Sequence, residues 1–201
     1  LPTYVGHMLQ LLGKLELTMV DWVGTSMGGL IGMGVAASGA IPVRRLVLND
    51  IGPFIPKAAL GRINTYLGMD LRFATLDQLE AHLREIHAGF GPLTDAQWRH
   101  LAEHSARRRE DGSFGLNYDQ RMGEPMKRGP IEDVDLWPVW DQIKCPVLVL
   151  RGVESDLLTA WVSLIAGVDQ DVRVNGDHAV PLGWEAAPPR KNACWRCRPL
   201  T

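Results

Sequence analysis

Cysteine is scarce: three of 201 residues. An odd count, with Cys145 opening an apolar run, builds no disulfide framework and points to a reducing, cytoplasmic compartment. Charge of one sign is lacking too, since 21 basic and 23 acidic residues leave a formal charge of -2. That balance excludes an electrostatic case for nucleic acid or an anionic membrane as partner. The longest basic run, ARRRE from Ala106 to Glu110, reads as a solvated helix end. Apolar runs of the roughly 20 residues that a membrane helix needs are missing. So are repeats, and so is metal-ligand spacing: Cys194 and Cys197 form a lone C-x-x-C with no second ligand pair. No cofactor and no metal are expected.

What is present is material for a core, with 46% hydrophobic residues, enough for one domain or a domain with an insertion. Val5, Met8, Leu9, Leu12 and Leu15 share one helical face behind Pro2. The chain starts at Leu1 and already reads like the middle of a domain, so an amino-terminal part is expected to precede it. TMVDWVG, ending at Gly24, is short and apolar enough for a buried strand, and LIGMGVAAS after it reads as a helix. IPVRRLVLNDIGP supplies a second buried strand, Arg45 to Asn49, closed by Asp50 and the Gly52-Pro53 breaker. Two strands around a crossover helix predict a parallel βαβ unit.

From residue 57 to 141 the pattern becomes charged and amphipathic. Thr75 with Gln78 and Thr94 with Gln97 have capping-box spacing ahead of apolar stripes, which predicts a helical insertion without buried strands. IKCPVLVLRG returns to a buried strand, Pro146 to Arg151. The expected organisation is core over 1–56, helical cap over 57–141, core again over 142–183, and an irregular tail over 184–201.

Gly24-Thr25-Ser26-Met27-Gly28 matches G-x-S-x-G between a strand and a helix. In that setting a strained turn exposes the serine oxygen, and small neighbours permit close backbone approach. Ser26 is therefore the candidate nucleophile, against a plain glycine turn. A serine hydroxyl needs an imidazole to take its proton, and the imidazole needs a carboxylate to orient it.

These stretches, VGTSMGGLIGM, LVLNDIGP and CPVLVLRGVESDLL, resemble the α/β-hydrolase superfamily, in the branch with a helical cap inserted between late strands. The resemblance implies a partial α/β-hydrolase fold: a mostly parallel sheet flanked by helices. It makes Ser26 the nucleophile, the Met27 N–H an oxyanion donor, Asp156 the acid and His178, in NGDHAVP, the base. Asp50 is the alternative acid, and a helix cap is the alternative role for Asp156. Of the other histidines, His7 sits on the first helix and His82, His87, His100 and His104 fall in the insertion. No segment before Ser26 matches the family loop that supplies a second oxyanion donor.

The implied reaction is hydrolysis of an ester, thioester or activated carbon–carbon bond through an acyl-enzyme. An insertion rich in Leu, Met, Trp and Phe, with Trp137 and Trp140 packing or lining it, suits a small, largely apolar substrate. Two alternatives stay open: a non-catalytic remnant of the fold, and acyl transfer through the same serine.

Overall fold

The computed structural model describes residues 1–152, 155–159 and 162, together with the backbone of 182–186 and 195–199. The chain divides into two compact units, Leu1–Lys57 with Asp133–Thr201, and Ala58–Glu132.

The first unit opens with α1, Pro2–Lys14, followed by β1, Val20–Thr25, α2, Met27–Ser38, β2, Val43–Asn49, and the short β3, Phe54–Ile55. β1 and β2 pair in parallel from Val20 opposite Val43 to Thr25 opposite Asn49. The chain returns from the second unit through β6, Val134–Asp135, which pairs antiparallel with β3, then α7, Trp137–Trp140, and β7, Val147–Leu150. β7 lies parallel to β2, Leu46 opposite Val147 and Asn49 opposite Leu150, and the described sheet has the order β1-β2-β7.

The parallel βαβ expectation is met because Leu46, Leu48, Val147 and Val149 are all buried. Leu148 is buried as well, so β7 is covered on both faces, as strands that read as continuous apolar runs are. Leu12, Ile31 and Val35 form the contact between α1 and α2, with Val5, Met8 and Leu9 beside them. Full burial of each such aliphatic side chain is worth about 1.5–3 kcal/mol. Leu15 departs from the expected face: the helix ends at Lys14, and Leu15 is 58% exposed. Among the described residues β1 is paired on one side only, and Val23 on it is 75% exposed. Leu182–Ala186 (β8) and Trp195–Pro199 (β9) pair antiparallel, so a stretch expected to be irregular carries a backbone ladder.

In the second unit lie most of α3, Lys57–Asn64, then α4, Leu76–Ile86, α5, Asp95–Ser105, β4, Ala106–Arg108, β5, Phe114–Leu116, and α6, Glu124–Lys127. Its core is Leu79, Leu83, Trp98 and Ala102, flanked by Phe73, Leu76 and Phe114. The Thr94–Gln97 capping box closes in both directions. At α4 the Thr75 hydroxyl accepts the Gln78 N–H, but the Gln78 side chain reaches the Ala74 N–H instead of that of Thr75. The basic run is corrected by the structure. Ala106–Arg108 is a strand, not a helix end, because it pairs antiparallel with Phe114–Leu116 and thereby keeps Ala106 and Leu116 against the core. Among the described residues no helix is long and apolar enough to cross a membrane.

Candidate active site

Three strands running in one direction bring their carboxyl ends together, the usual place for a site in an open parallel sheet. β1 ends at Thr25, β2 at Asn49 and β7 at Leu150, and the residues that follow are Ser26, Asp50 and the loop carrying Asp156.

Ser26 is exposed and sits between β1 and α2 at φ 50°, ψ -120°. A non-glycine residue with positive φ is uncommon and costs on the order of 1–3 kcal/mol unless its surroundings hold it there. They do so here. The Ser26 N–H donates to the Asn49 carbonyl at 3.1 Å, and the Ser26 carbonyl accepts from the N–H groups of Gly29 and Leu30 at 2.9 and 3.1 Å. Asn49 Nδ2 also donates to Thr25 Oγ1 at 3.2 Å. The serine is thus pinned to the end of β2 and to the first turn of α2, with its side chain left outside the ladder.

Sterics assign the glycines differently from the G-x-S-x-G pattern. A Cβ on Gly24 would lie 2.4 Å from the Gly28 backbone, and one on Gly29 would lie 2.4 Å from an Ile51 methyl and 3.1 Å from the Gly24 carbonyl. A Cβ on Gly28 would meet nothing within 4 Å. Gly24 and Gly29 are the pair that lets strand and helix touch, and Gly29 lies one residue beyond the motif.

The N–H groups of Met27 and Gly28 open α2. The first donors of a helix have no intrahelical acceptor, and the aligned peptide dipoles favour negative charge at that end. An oxyanion formed beside Ser26 would meet that end of the helix. α2 is apolar throughout, with Ile31, Met33 and Val35 buried, which holds its axis in place.

Asp156 is exposed and follows β7 in the turn 155–159. The cap-type bond of that turn belongs to its neighbour: Ser155 Oγ accepts the Leu158 N–H at 3.0 Å. Asp50, half-buried and at φ 54°, directs both carboxylate oxygens at the same loop. Gly152 N–H donates to Oδ1 at 3.1 Å, and the Ser155 hydroxyl donates to Oδ2 at 3.0 Å. This engagement of Asp50 was not legible in the sequence, which offered Asp50 only as the alternative acid. His178 and Cys194 lie outside the described residues. Trp137 and Trp140 meet edge to face at 6.4 Å between centroids, and Trp140 is buried in α7, which packs on α2.

Within residues 58–132 a polar depression is lined by Arg107, Tyr118, Asp119 and Arg121. The Arg121 guanidinium, hydrogen-bonded to Asp119, holds that carboxyl down at about 2. The two charges answer each other, so the depression offers neither a free carboxylate nor a nucleophile. Cys145 is half-buried, and burial raises its thiol pKa, which makes it a poor nucleophile.

No protein-family model matches the chain. Over 165 residues it is 43% identical to the 3-hydroxybutyrate-oligomer hydrolase of Cupriavidus necator, a match that takes in 78% of this chain and 56% of that protein. The chain therefore spans little more than half the length of that relative. A crystal structure from Rickettsia typhi is similar with a TM-score of 0.77 and 32% identity, covering 88% of this chain and 60% of the other. An α/β hydrolase of Novosphingobium aromaticivorans is similar with a TM-score of 0.71 and 30% identity over 86% of this chain and 64% of its own. Likeness of sequence to a hydrolase and of fold to an α/β hydrolase agrees with the strained turn at Ser26, and the chain has a partial α/β-hydrolase fold.

Proposed function

We propose that this chain carries the nucleophile of a serine hydrolase acting on small, largely apolar esters through an acyl-enzyme. The observation that carries the reading is Ser26 itself: an exposed serine at φ 50°, ψ -120°, placed at the donor end of an apolar helix. Such strain persists only where the surrounding structure over-determines it, and it clusters at functional sites.

In this reading Ser26 Oγ attacks the ester carbonyl carbon while His178 takes the hydroxyl proton. The Met27 N–H holds the oxyanion, and Asp156 keeps the imidazole in the right tautomer and stabilises its cation. The carbon–oxygen bond to the leaving alcohol then breaks, and His178 returns the proton to it. Water, deprotonated by His178, attacks the acyl-serine and releases the acid and the free serine. The relative's name favours short oligomers of 3-hydroxybutyrate as substrate. Their backbone is a run of uncharged esters between small aliphatic groups, which matches the substrate expected from the apolar cap.

The test is intact mass after incubation with a fluorophosphonate, comparing the native chain with Ser26→Ala and with heat-unfolded protein. One adduct, lost in both controls, is expected. A folded chain that takes up no probe would overturn the reading. Release of 3-hydroxybutyrate from its linear dimer and trimer, set against hydrolysis of p-nitrophenyl butyrate, tests the substrate class separately.

A further inference from the structure

Asp50 prolongs the β2–β7 ladder by one residue, its N–H donating to the Leu150 carbonyl at 2.8 Å. It then turns through φ 54°, a conformation that Asp and Asn tolerate better than other side chains. The turn aims its carboxylate at the loop after β7. Oδ1 takes the Gly152 N–H at 3.1 Å and Oδ2 takes the Ser155 hydroxyl at 3.0 Å. Ser155 is fixed twice more, its N–H donating to the Gly152 carbonyl at 3.0 Å and its Oγ accepting the Leu158 N–H at 3.0 Å. The serine hydroxyl therefore uses its one proton on Asp50 and a lone pair on the following turn. One carboxylate grips Gly152 and Ser155, and Asp156 is the next residue. Beyond it Leu157 and Leu158 are buried.

We propose that Asp50 is a positioning residue of the site: through Gly152 and Ser155 it sets the loop from which Asp156 projects, and it does not itself act as the acid. The inference rests on the reading of Asp156 as the acid of the proposed hydrolase. Asp156 follows directly on Ser155, so the chain that carries it continues from the two residues that the Asp50 carboxylate holds. A displacement of about 1 Å in a catalytic group costs up to about 100-fold in rate, which is the scale on which a loosened loop would be felt.

The test uses the full 201-residue chain with two readouts: the rate of fluorophosphonate labelling at Ser26 across pH, and amide hydrogen exchange at Gly152 and Leu158. Asp50→Asn keeps a carbonyl oxygen for the loop and suits the left-handed backbone, but it cannot carry the negative charge of an acid. It is expected to label within about threefold of wild type with an unchanged pH profile, since the loop stays in place. Ser155→Ala, which leaves the backbone of Asp50 untouched, and Asp50→Ala should each slow labelling about 10- to 100-fold. Asp50→Ala should expose both amides, and Ser155→Ala chiefly that of Leu158, with exchange faster by about tenfold or more. Placed in an Asp156→Ala background, Asp50→Ala should cost little further rate, because its effect passes through Asp156.

An Asp50→Asn chain as inactive as Asp156→Ala would make Asp50 the acid and overturn the proposal. Equal costs of Asp50→Ala with and without Asp156 would overturn it as well, leaving a purely structural contact. Amide exchange needs no activity. If wild type fails to label, the serine-hydrolase reading falls alone, and exchange at Gly152 that is the same in wild type and Asp50→Ala would remove the clamp independently.

Discussion

The Trp22 indole Nε1 donates to the Gly28 carbonyl at 3.0 Å. The same ring fills the space over Gly32, where a Cβ would lie 2.4 Å from Nε1. Strand and helix are thereby fastened to each other on both sides of the Ser26 turn, by a residue that carries no chemistry. The turn can hold a strained serine because the parts flanking it cannot relax independently.

Relieving that strain should stabilise the chain. Ser26→Gly removes the Cβ penalty at φ 50° and is expected to gain about 1 kcal/mol of unfolding free energy despite glycine's greater freedom when unfolded. Ser26→Ala keeps the penalty and should unfold close to wild type. Urea denaturation of the three proteins checks this; a glycine variant less stable than the alanine variant would mean that the turn is not strained.

The two glycines of the motif should respond oppositely. Gly24→Ala forces a methyl into the Gly28 backbone at 2.4 Å and should cost at least about 3 kcal/mol or prevent folding, since backbone at both ends cannot yield. Gly28→Ala meets nothing, lies inside α2, and should be neutral or stabilising by up to about 1 kcal/mol. Thermal melts followed by circular dichroism separate the two, and a Gly28→Ala chain as damaged as Gly24→Ala would contradict the assignment.

The fold was legible where one physical cause dominates locally. β7 is apolar because both its faces are covered, and the elbow reads from glycines set around a serine. Ala106–Arg108 misled because arginines after an amphipathic helix look like its solvated end. Only the partner strand at Phe114–Leu116 shows that they are a hairpin. The engagement of Asp50 was invisible for a different reason: its contacts lie 102 and 105 residues away along the chain, where no local period reaches. Gly29 was missed because its constraint is set by an Ile51 side chain, which no G-x-S-x-G spacing encodes.

Asp156→Asn tests the proposed acid. If Asp156 orients His178, the amide holds the wrong tautomer, and labelling and ester turnover should fall by about 1,000- to 10,000-fold. The residue is exposed, so the melting temperature should stay close to that of wild type. A loss below tenfold would leave the acid role unfilled by Asp156.

Glu80 is the charged anchor of residues 58–132. Its side chain is 12% exposed, with Arg84 at 2.7 Å from Oε1 and Arg99 Nε at 3.0 Å from Oε2. Arg84 also reaches Asp95 at 2.9 Å and lies over the Trp98 ring at 5.5 Å. Glu80→Ala leaves two guanidinium groups beside an apolar core. Because both arginines are partly solvated, the cost should be about 1–3 kcal/mol, below that of a fully buried pair. Glu80→Met, which refills the volume, should recover part of it. Urea midpoints by tryptophan fluorescence decide, and a Glu80→Ala chain equal to wild type would show that the pairs contribute nothing net.

His87 should make the chain sensitive to mild acid. Its ring stacks on Phe90 at 4.4 Å between centroids. Burial, assisted by the nearby His82, lowers its pKa from 6.5. The unfolded chain therefore takes up this proton more readily than the folded chain does. Its contribution is fully present above pH 6.5 and is lost as pH falls through 6.5 toward the lower folded value, because protonation then favours the unfolded state. His87→Phe preserves the stack and removes the proton. Wild-type urea midpoints should fall between pH 7.5 and pH 5.5, and those of His87→Phe should fall less. The same pH dependence in both chains would assign the acid sensitivity to other groups.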